Sequence, residues 1–206
     1  MNALLVFVII FFVSALGSTP PGLINMVVLE RTIVAGKKAG VMTAVGTFLP
    51  EFLYTFIAVY AYNAINSNVE LGQGLKLAGG LVLITLACFY FFRKPEEPKL
   101  ERTSSRRDSY RGFRKGMFTA SINVLIVPFW ALTAAYMASH GYDLKSLGNI
   151  FAFALGSALG ALTVFLSYVR LGPYIIHRLN DLIRYSNKFL ALLFLSIGLY
   201  QLFRLY

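Results

Sequence analysis

The sequence predicts an all-α integral membrane protein of six transmembrane helices, arranged as two inverted three-helix repeats with a broken first helix. Three observations carry this prediction: six long apolar stretches, Lys and Arg gathered in alternate loops, and proline-containing interruptions in the first and fourth stretches. Hydrophobic residues make up 57% of the 206 and charged residues only 14%, with a mean hydropathy of +0.67. That is more apolar surface than a soluble domain of this size can cover.

The spans fall near residues 3–29, 39–62, 75–92, 115–138, 148–169 and 188–205. Each is close to the roughly 20 apolar residues that cross a hydrocarbon core of about 30 Å. The first begins at Ala3 with no basic segment before it and continues past any small-residue cleavage site, so it reads as a span and not as a removable leader. The loop at 30–38 carries Arg31, Lys37 and Lys38, segment 93–115 carries nine basic residues, and 170–188 carries Arg170, Arg178, Arg184 and Lys188. Sixteen of the nineteen basic residues therefore lie on one side, against Lys76, Lys145 and Arg204 on the other. The positive-inside bias places the basic side in the cytoplasm and both termini outside. A net charge of +10 needs no nucleic acid, because basic loops facing anionic membrane lipid account for it.

Residues 93–113 form a basic linker between a first half, 1–92, and a second half, 114–206. The stretch Arg93 to Arg111 has two prolines and almost no apolar side chains, the composition of a flexible segment. Between the last two spans, Ile175, Ile176, Leu179, Leu182 and Ile183 share one helical face and Arg178, Asp181 and Arg184 another, as in a short helix lying in the interface. His140 and His177 belong to such non-membrane segments and read as structural or solvated. The single Cys88 excludes an intrachain disulfide, and no spacing of side chains calls for a metal or cofactor.

Three spans per half is an odd number, so homologous halves must insert with opposite topology. Ala44 to Pro50 in the second span resembles Ala154 to Gly160 in the fifth, and Phe91-Phe92-Arg93 resembles Leu202-Phe203-Arg204, both about 110 residues apart. Inverted repeats of this kind build transport sites near the midplane from interrupted helices. In the first span Gly17-Ser-Thr-Pro-Pro-Gly22 sets Pro20 and Pro21 inside an apolar helix, removing two backbone donors and freeing their carbonyl partners. A bilayer tolerates that only where protein or a water-filled cavity satisfies the freed groups. The fourth span repeats the theme with Asn123 and Pro128, where a break and a plain packing kink are both open. At 1.5 Å per residue, Pro20 lies roughly 15 Å from Glu30, Glu51 roughly 19 Å from Lys38, and Asn123 and Pro128 roughly 14 and 21 Å from Arg114. All four sit near the bilayer centre and can share a cavity.

Glu51 is the one acidic side chain within a predicted span, and no Lys, Arg or His lies at its level. An ionised acid there costs several kcal/mol, which makes it a functional-site hypothesis by default. It would bind and release a proton or pair with a substrate cation; the plainer alternative is a protonated acid bonded to a freed carbonyl of the broken helix. Pro50 would loosen the helix beside it, and Thr47, Tyr54 and Thr55 share its face.

Several of these residues together resemble a known family. They are the Pro-Gly break near residue 20, the turn Glu30-Arg-Thr-Ile-Val-Ala-Gly-Lys-Lys-Ala-Gly40, the Gly-rich second span with a central acid, and the fourth-span opening Gly116-Met-Phe-Thr-Ala-Ser-Ile-Asn123. Over nearly the whole chain they resemble the lysine-exporter (LysE/RhtB) superfamily. The resemblance implies a bacterial inner-membrane protein that exports amino acids or similar small metabolites on the proton-motive force. It carries the family's Pro-Gly-Pro break onto Pro20, Pro21 and Gly22, its second-span acid onto Glu51 and its fourth-span Asn-Pro onto Asn123. The chain departs from the pattern in reading Pro-Pro-Gly, and in having Val124 at the expected proline with Pro128 four residues on. Substrate identity and the shape of the site therefore do not transfer.

The expected function is secondary export by proton antiport. The broken first span would offer a helix end and free carbonyls to a small-molecule substrate. Glu51 would carry the proton or hold the substrate ammonium, Asn25 and Asn123 would give neutral hydrogen bonds, Thr47 would continue the polar stripe, and Tyr54 and Trp130 would form walls. A scaffold working through the basic 93–115 loop and a channel are the competing classes. An enzyme is disfavoured, since the spans hold no His cluster, Cys pair, Ser-His set or second carboxylate. Gly156, Ser157 and Gly160 would let helices approach closely, within one chain or between copies in a homo-oligomer.

Overall fold

The computed structural model describes residues 3–66, 107–123 and 126–175, with isolated helical positions between Leu81 and Phe92 and between Lys188 and Leu199. Apart from those positions, the expected third and sixth spans, the linker up to residue 106 and the interfacial helix with His177 lie outside the described residues. Six helices are described in full: α1 (Ala3–Ser18), α2 (Leu23–Ala35), α3 (Lys37–Asn66), α4 (Arg107–Ser121), α5 (Ile126–Ser139) and α6 (Leu147–Ile175). Helix α4 starts at Arg107, so residues 107–113 of the expected linker are helical.

The two interruptions are sharp. α1 and α2 meet at 71° and α4 and α5 at 59°, each pair together apolar enough for one span, whereas Lys37–Asn63 and Leu147–Gly172 are long enough to cross unbroken. Proline explains the first bend, because Pro20 and Pro21 lack the N–H groups that would have bonded the Leu16 and Gly17 carbonyls. Thr19 N–H takes the Leu16 carbonyl instead, at 3.2 Å, and closes α1 with a tight turn.

The fourth span is a break and not a proline kink. Asn123 N–H closes onto the Ala120 carbonyl at 3.1 Å, and the Asn123 carbonyl accepts from Ile126 N–H at 3.3 Å. Pro128 stands in the first turn of α5, where backbone N–H groups have no intrahelical acceptor and a proline costs little. Pro50 does not interrupt its helix: α3 runs continuously through it.

The two sets of helices follow one plan. Their lengths are 16, 13 and 30 residues for α1 to α3 and 15, 14 and 29 for α4 to α6. The second helix of each set ends at a glycine with positive φ, Gly36 at 87° and Gly141 at 81°. At Gly141 the N–H bonds the Ala138 carbonyl while Tyr142 N–H reaches back to Met137, a Schellman closure that the left-handed glycine permits.

Direction follows from the core. One apolar cluster contains Val6, Ile10, Ala58, Trp130 and Phe153, and a second contains Ile24, Val28, Ala44, Ala120 and Phe165. The chain passes from the first cluster to the second along α1–α2, returns along α3, returns again along α4–α5, and passes forward along α6. Among the described residues, equivalent elements of the two sets thus run in opposite directions, as an inverted repeat requires.

Packing repeats with it. α1 lies on α6, where a Cβ on Gly156 would meet the Phe7 carbonyl oxygen at 2.6 Å and one on Gly160 would strike that of Phe11. α3 lies on α4, where Gly46, Gly112 and Gly116 face the backbone of Phe113, Ala39 and Thr43. Small residues set these backbone-to-backbone approaches, so Gly156 and Gly160 serve packing within the chain. Lys37, Lys38, Arg111, Arg114, Lys115 and Arg170 lie beyond the second cluster, and Lys145 beyond the first. Lys115 Nζ donates to both oxygens of Glu30, at 2.8 and 3.0 Å, joining α4 to α2.

Candidate functional site

A polar layer lies between the two apolar clusters, at the level of both breaks. Thr47, Glu51 and Thr55 recur every fourth residue on the buried face of α3, while Val45, Leu49, Leu53 and Ile57 recur at the same spacing on its exposed face. α1 adds Ser14 and α6 adds Ser157, both buried. Ser14 Oγ donates to the Ser157 carbonyl at 2.6 Å, and the Ser157 and Thr55 hydroxyls share a bond of 2.8 Å. The Thr47 hydroxyl donates to the Ala44 carbonyl at 2.7 Å. Burying so many polar groups is tolerable because each of these hydroxyls finds a partner.

Glu51 is 7% exposed and receives one side-chain hydrogen bond among the described residues, from the Trp130 indole N–H at 3.4 Å. Among the same residues no cation pairs with it. Trp130 is held edge-on by Phe129 and Phe153, with ring centroids 4.8 and 5.5 Å away, so the indole is positioned by packing and caps the acid from α5. The end of α1 reaches the same place: a Cβ on Gly17 would lie 3.5 Å from the Phe129 ring.

Three carbonyls of the first break, those of Ser18, Thr19 and Pro20, receive side-chain donors. The Asn25 amide, in the first turn of α2, donates back to the Ser18 and Pro20 carbonyls at 2.8 and 3.3 Å. The Tyr168 hydroxyl, from α6, donates to the Thr19 carbonyl at 2.8 Å. Pro20 and Pro21 form the break itself, with Pro21 buried, and Gly22 stands at the N-cap of α2 without a side-chain cap. Asn25 is therefore a staple across the break in this state. Asn123 lies half-buried in the second break.

Tyr54 does for the second break what Tyr168 does for the first. Its hydroxyl donates from α3 to the Ser121 carbonyl at 2.6 Å, at the end of α4. Each unbroken helix thus latches the broken span of the opposite repeat through one tyrosine. Tyr168→Phe keeps the ring and removes one hydrogen bond, worth about 1 kcal/mol. Faster amide exchange is expected at Thr19, Gly22 and Leu23, with exchange in α3 unchanged; protection at those three amides identical to the native chain would refute the latch.

Sequence reasoning brought forward Glu51, Thr47, Tyr54 and Trp130, and the structure gathers them around α3 and α5. It did not bring forward Tyr168, Ser14 or the hydrogen-bonding role of Ser157. No group of three metal-ligating side chains occurs among the described residues. The arrangement can hold a proton, or one cation, on a single carboxylate within a layer of hydroxyls.

A family model described as LysE type translocator matches residues 15–204 of the chain. No curated protein and no solved structure matches it.

Proposed function

Because the chain belongs to the LysE type translocator family, which is a family of transporters and not of enzymes, we propose that it exports amino acids or similar small metabolites across a bacterial inner membrane by proton antiport. The observation that carries the reading is Glu51, buried between two apolar clusters with one neutral donor and no cationic partner among the described residues. An ionised acid at that depth is costly until something positive joins it. A proton can do so, and so can a substrate ammonium. Two cations competing for one carboxylate make the release of one the condition for binding the other, which is antiport in its simplest form.

The inverted repeat supports alternating access. Each broken span bends at a short hinge, and rocking one three-span half against the other would expose Glu51 first to one side and then to the other. Trp130 covers the acid in the present state and must move aside in that transition. The Tyr54 and Tyr168 bonds would re-form with each cycle. The segregation of cations beyond the second apolar cluster supports an orientation with that end in the cytoplasm and both termini outside.

The test is flux in proteoliposomes. With a pH gradient imposed across vesicles loaded with a mixed amino-acid pool, at least one amino acid should leave faster than without the gradient. Equal efflux with and without the gradient, for every member of the pool, would contradict the proposal; gradient-independent leakage would favour a channel.

A further inference from the structure

A cleft of about 490 Å³ opens on α4, outside the polar layer, and its lining is mixed in an ordered way. Arg111, Arg114 and Lys115 line it together with Met117, Phe118 and Ser121. The order along the helix matters. Arg111, Arg114, Phe118 and Ile122 follow at spacings of three and four residues, so they share one face, cationic at its start and apolar beyond. Phe118 is 66% exposed and Ile122 53%, so the apolar part is open to the surroundings. From Arg114 to Ile122 the face descends roughly 12 Å toward the second break.

The charges available there are specific. Lys115 is engaged with Glu30, which leaves Arg111 and Arg114 as the exposed cations of the cleft among the described residues. The Arg114 guanidinium stands 5.8 Å from the Tyr110 ring centroid, a contact that restrains it without neutralising it. Two guanidinium groups one helical turn apart suit a phosphate diester, whose oxygens accept paired N–H donors. A soluble phosphate would satisfy them and leave Phe118 and Ile122 uncovered. An amphiphile satisfies both parts at once.

We infer that this cleft binds an anionic phospholipid, its phosphate between Arg111 and Arg114 and an acyl chain along Phe118 and Ile122. Basic pockets at the membrane surface recognise lipid headgroups by this combination of charge and adjoining apolar wall. The site also touches the moving parts. Ser121, at the inner end of the cleft, is the residue whose carbonyl accepts from Tyr54, so a bound lipid abuts the second break.

The experiment is native mass spectrometry of the full chain released from detergent with phosphatidylglycerol, phosphatidylcholine or inorganic phosphate. Phosphatidylglycerol adducts should exceed phosphatidylcholine adducts by about tenfold, and Arg111→Gln with Arg114→Gln should remove most of that excess. Arg111→Lys with Arg114→Lys, which keeps the charge and topology, should retain most of the preference. Lys145→Gln, on the loop at the other end, should change nothing. Equal occupancy by the two lipids, or undiminished phosphatidylglycerol binding in the Gln variant, would overturn the site. Displacement of phosphatidylglycerol by equimolar inorganic phosphate would reassign it to a soluble anion and overturn the lipid reading.

Discussion

Glu51→Gln is expected to insert and fold normally and to lose proton-driven export by about a hundredfold, equal to about 2.7 kcal/mol in the barrier. Glutamine keeps the length of the side chain and an oxygen acceptor for the Trp130 indole, so the contact at 3.4 Å can persist. It cannot take up or release a proton, and it has no charge to offer an ammonium group. The same substitution separates the two readings of this residue. A protonated acid that merely bridges helices resembles an amide closely, and its replacement would leave flux intact. Export at the native rate by a correctly folded Glu51→Gln protein would therefore assign Glu51 to structure. Folding is checked by thermal unfolding in detergent, which should match the native chain.

Gly116→Val is expected to have the largest effect on assembly, at or above about 3 kcal/mol, the upper end for overpacking. The first added carbon would strike the Thr43 carbonyl oxygen and come within 2.8 Å of its carbon. Both are backbone atoms of α3, so neither can turn aside as a side-chain tip would. α4 would have to move bodily away from α3, and the close approaches of Gly112 to Ala39 and of Gly46 to Phe113 on the same seam would open. Gly148→Ala is the matched control, because nothing lies within 4 Å of its added carbon. Folded yield in detergent should fall several-fold for Gly116→Val and stay at the native level for Gly148→Ala. A Gly116→Val protein as abundant and as stable as the native one would contradict the close approach of the two helices.

The features that were legible in the sequence are those set by local chemistry. Apolar runs place the first, second, fourth and fifth spans because hydrocarbon imposes them residue by residue, and Pro20-Pro21 declares a break because two missing donors leave little alternative. Glu51 stood out because an acid in an apolar run is conspicuous whatever surrounds it. The second break was harder to locate. Pro128 draws attention, yet it occupies a first turn where it does no harm, and the chain opens at Asn123 instead.

What could not be read depends on contacts between distant positions. Tyr168 reaches the Thr19 carbonyl across 149 positions of sequence, and Ser14 reaches Ser157 across 143. Nothing near either residue signals its partner. Tyr168 in isolation reads as one more aromatic in an apolar helix, and Ser157 as a small residue for close packing, which it also is. The partners of the Ser18, Thr19 and Pro20 carbonyls at the first break were hidden for the same reason. The donors that satisfy them come from Asn25, which was assigned to substrate, and from a helix in the other repeat.

The most direct measurement of the central claim is proton movement driven by substrate. Proteoliposomes are loaded with the amino acid that responds to a pH gradient, placed in substrate-free buffer at equal pH, and followed with an internal pH-sensitive dye. Antiport through Glu51 predicts that the lumen acidifies as the amino acid leaves, and that vesicles carrying Glu51→Gln do not acidify. Efflux of the amino acid from native vesicles with no change in internal pH would show that export and proton movement are separate, and the proposed coupling would fall.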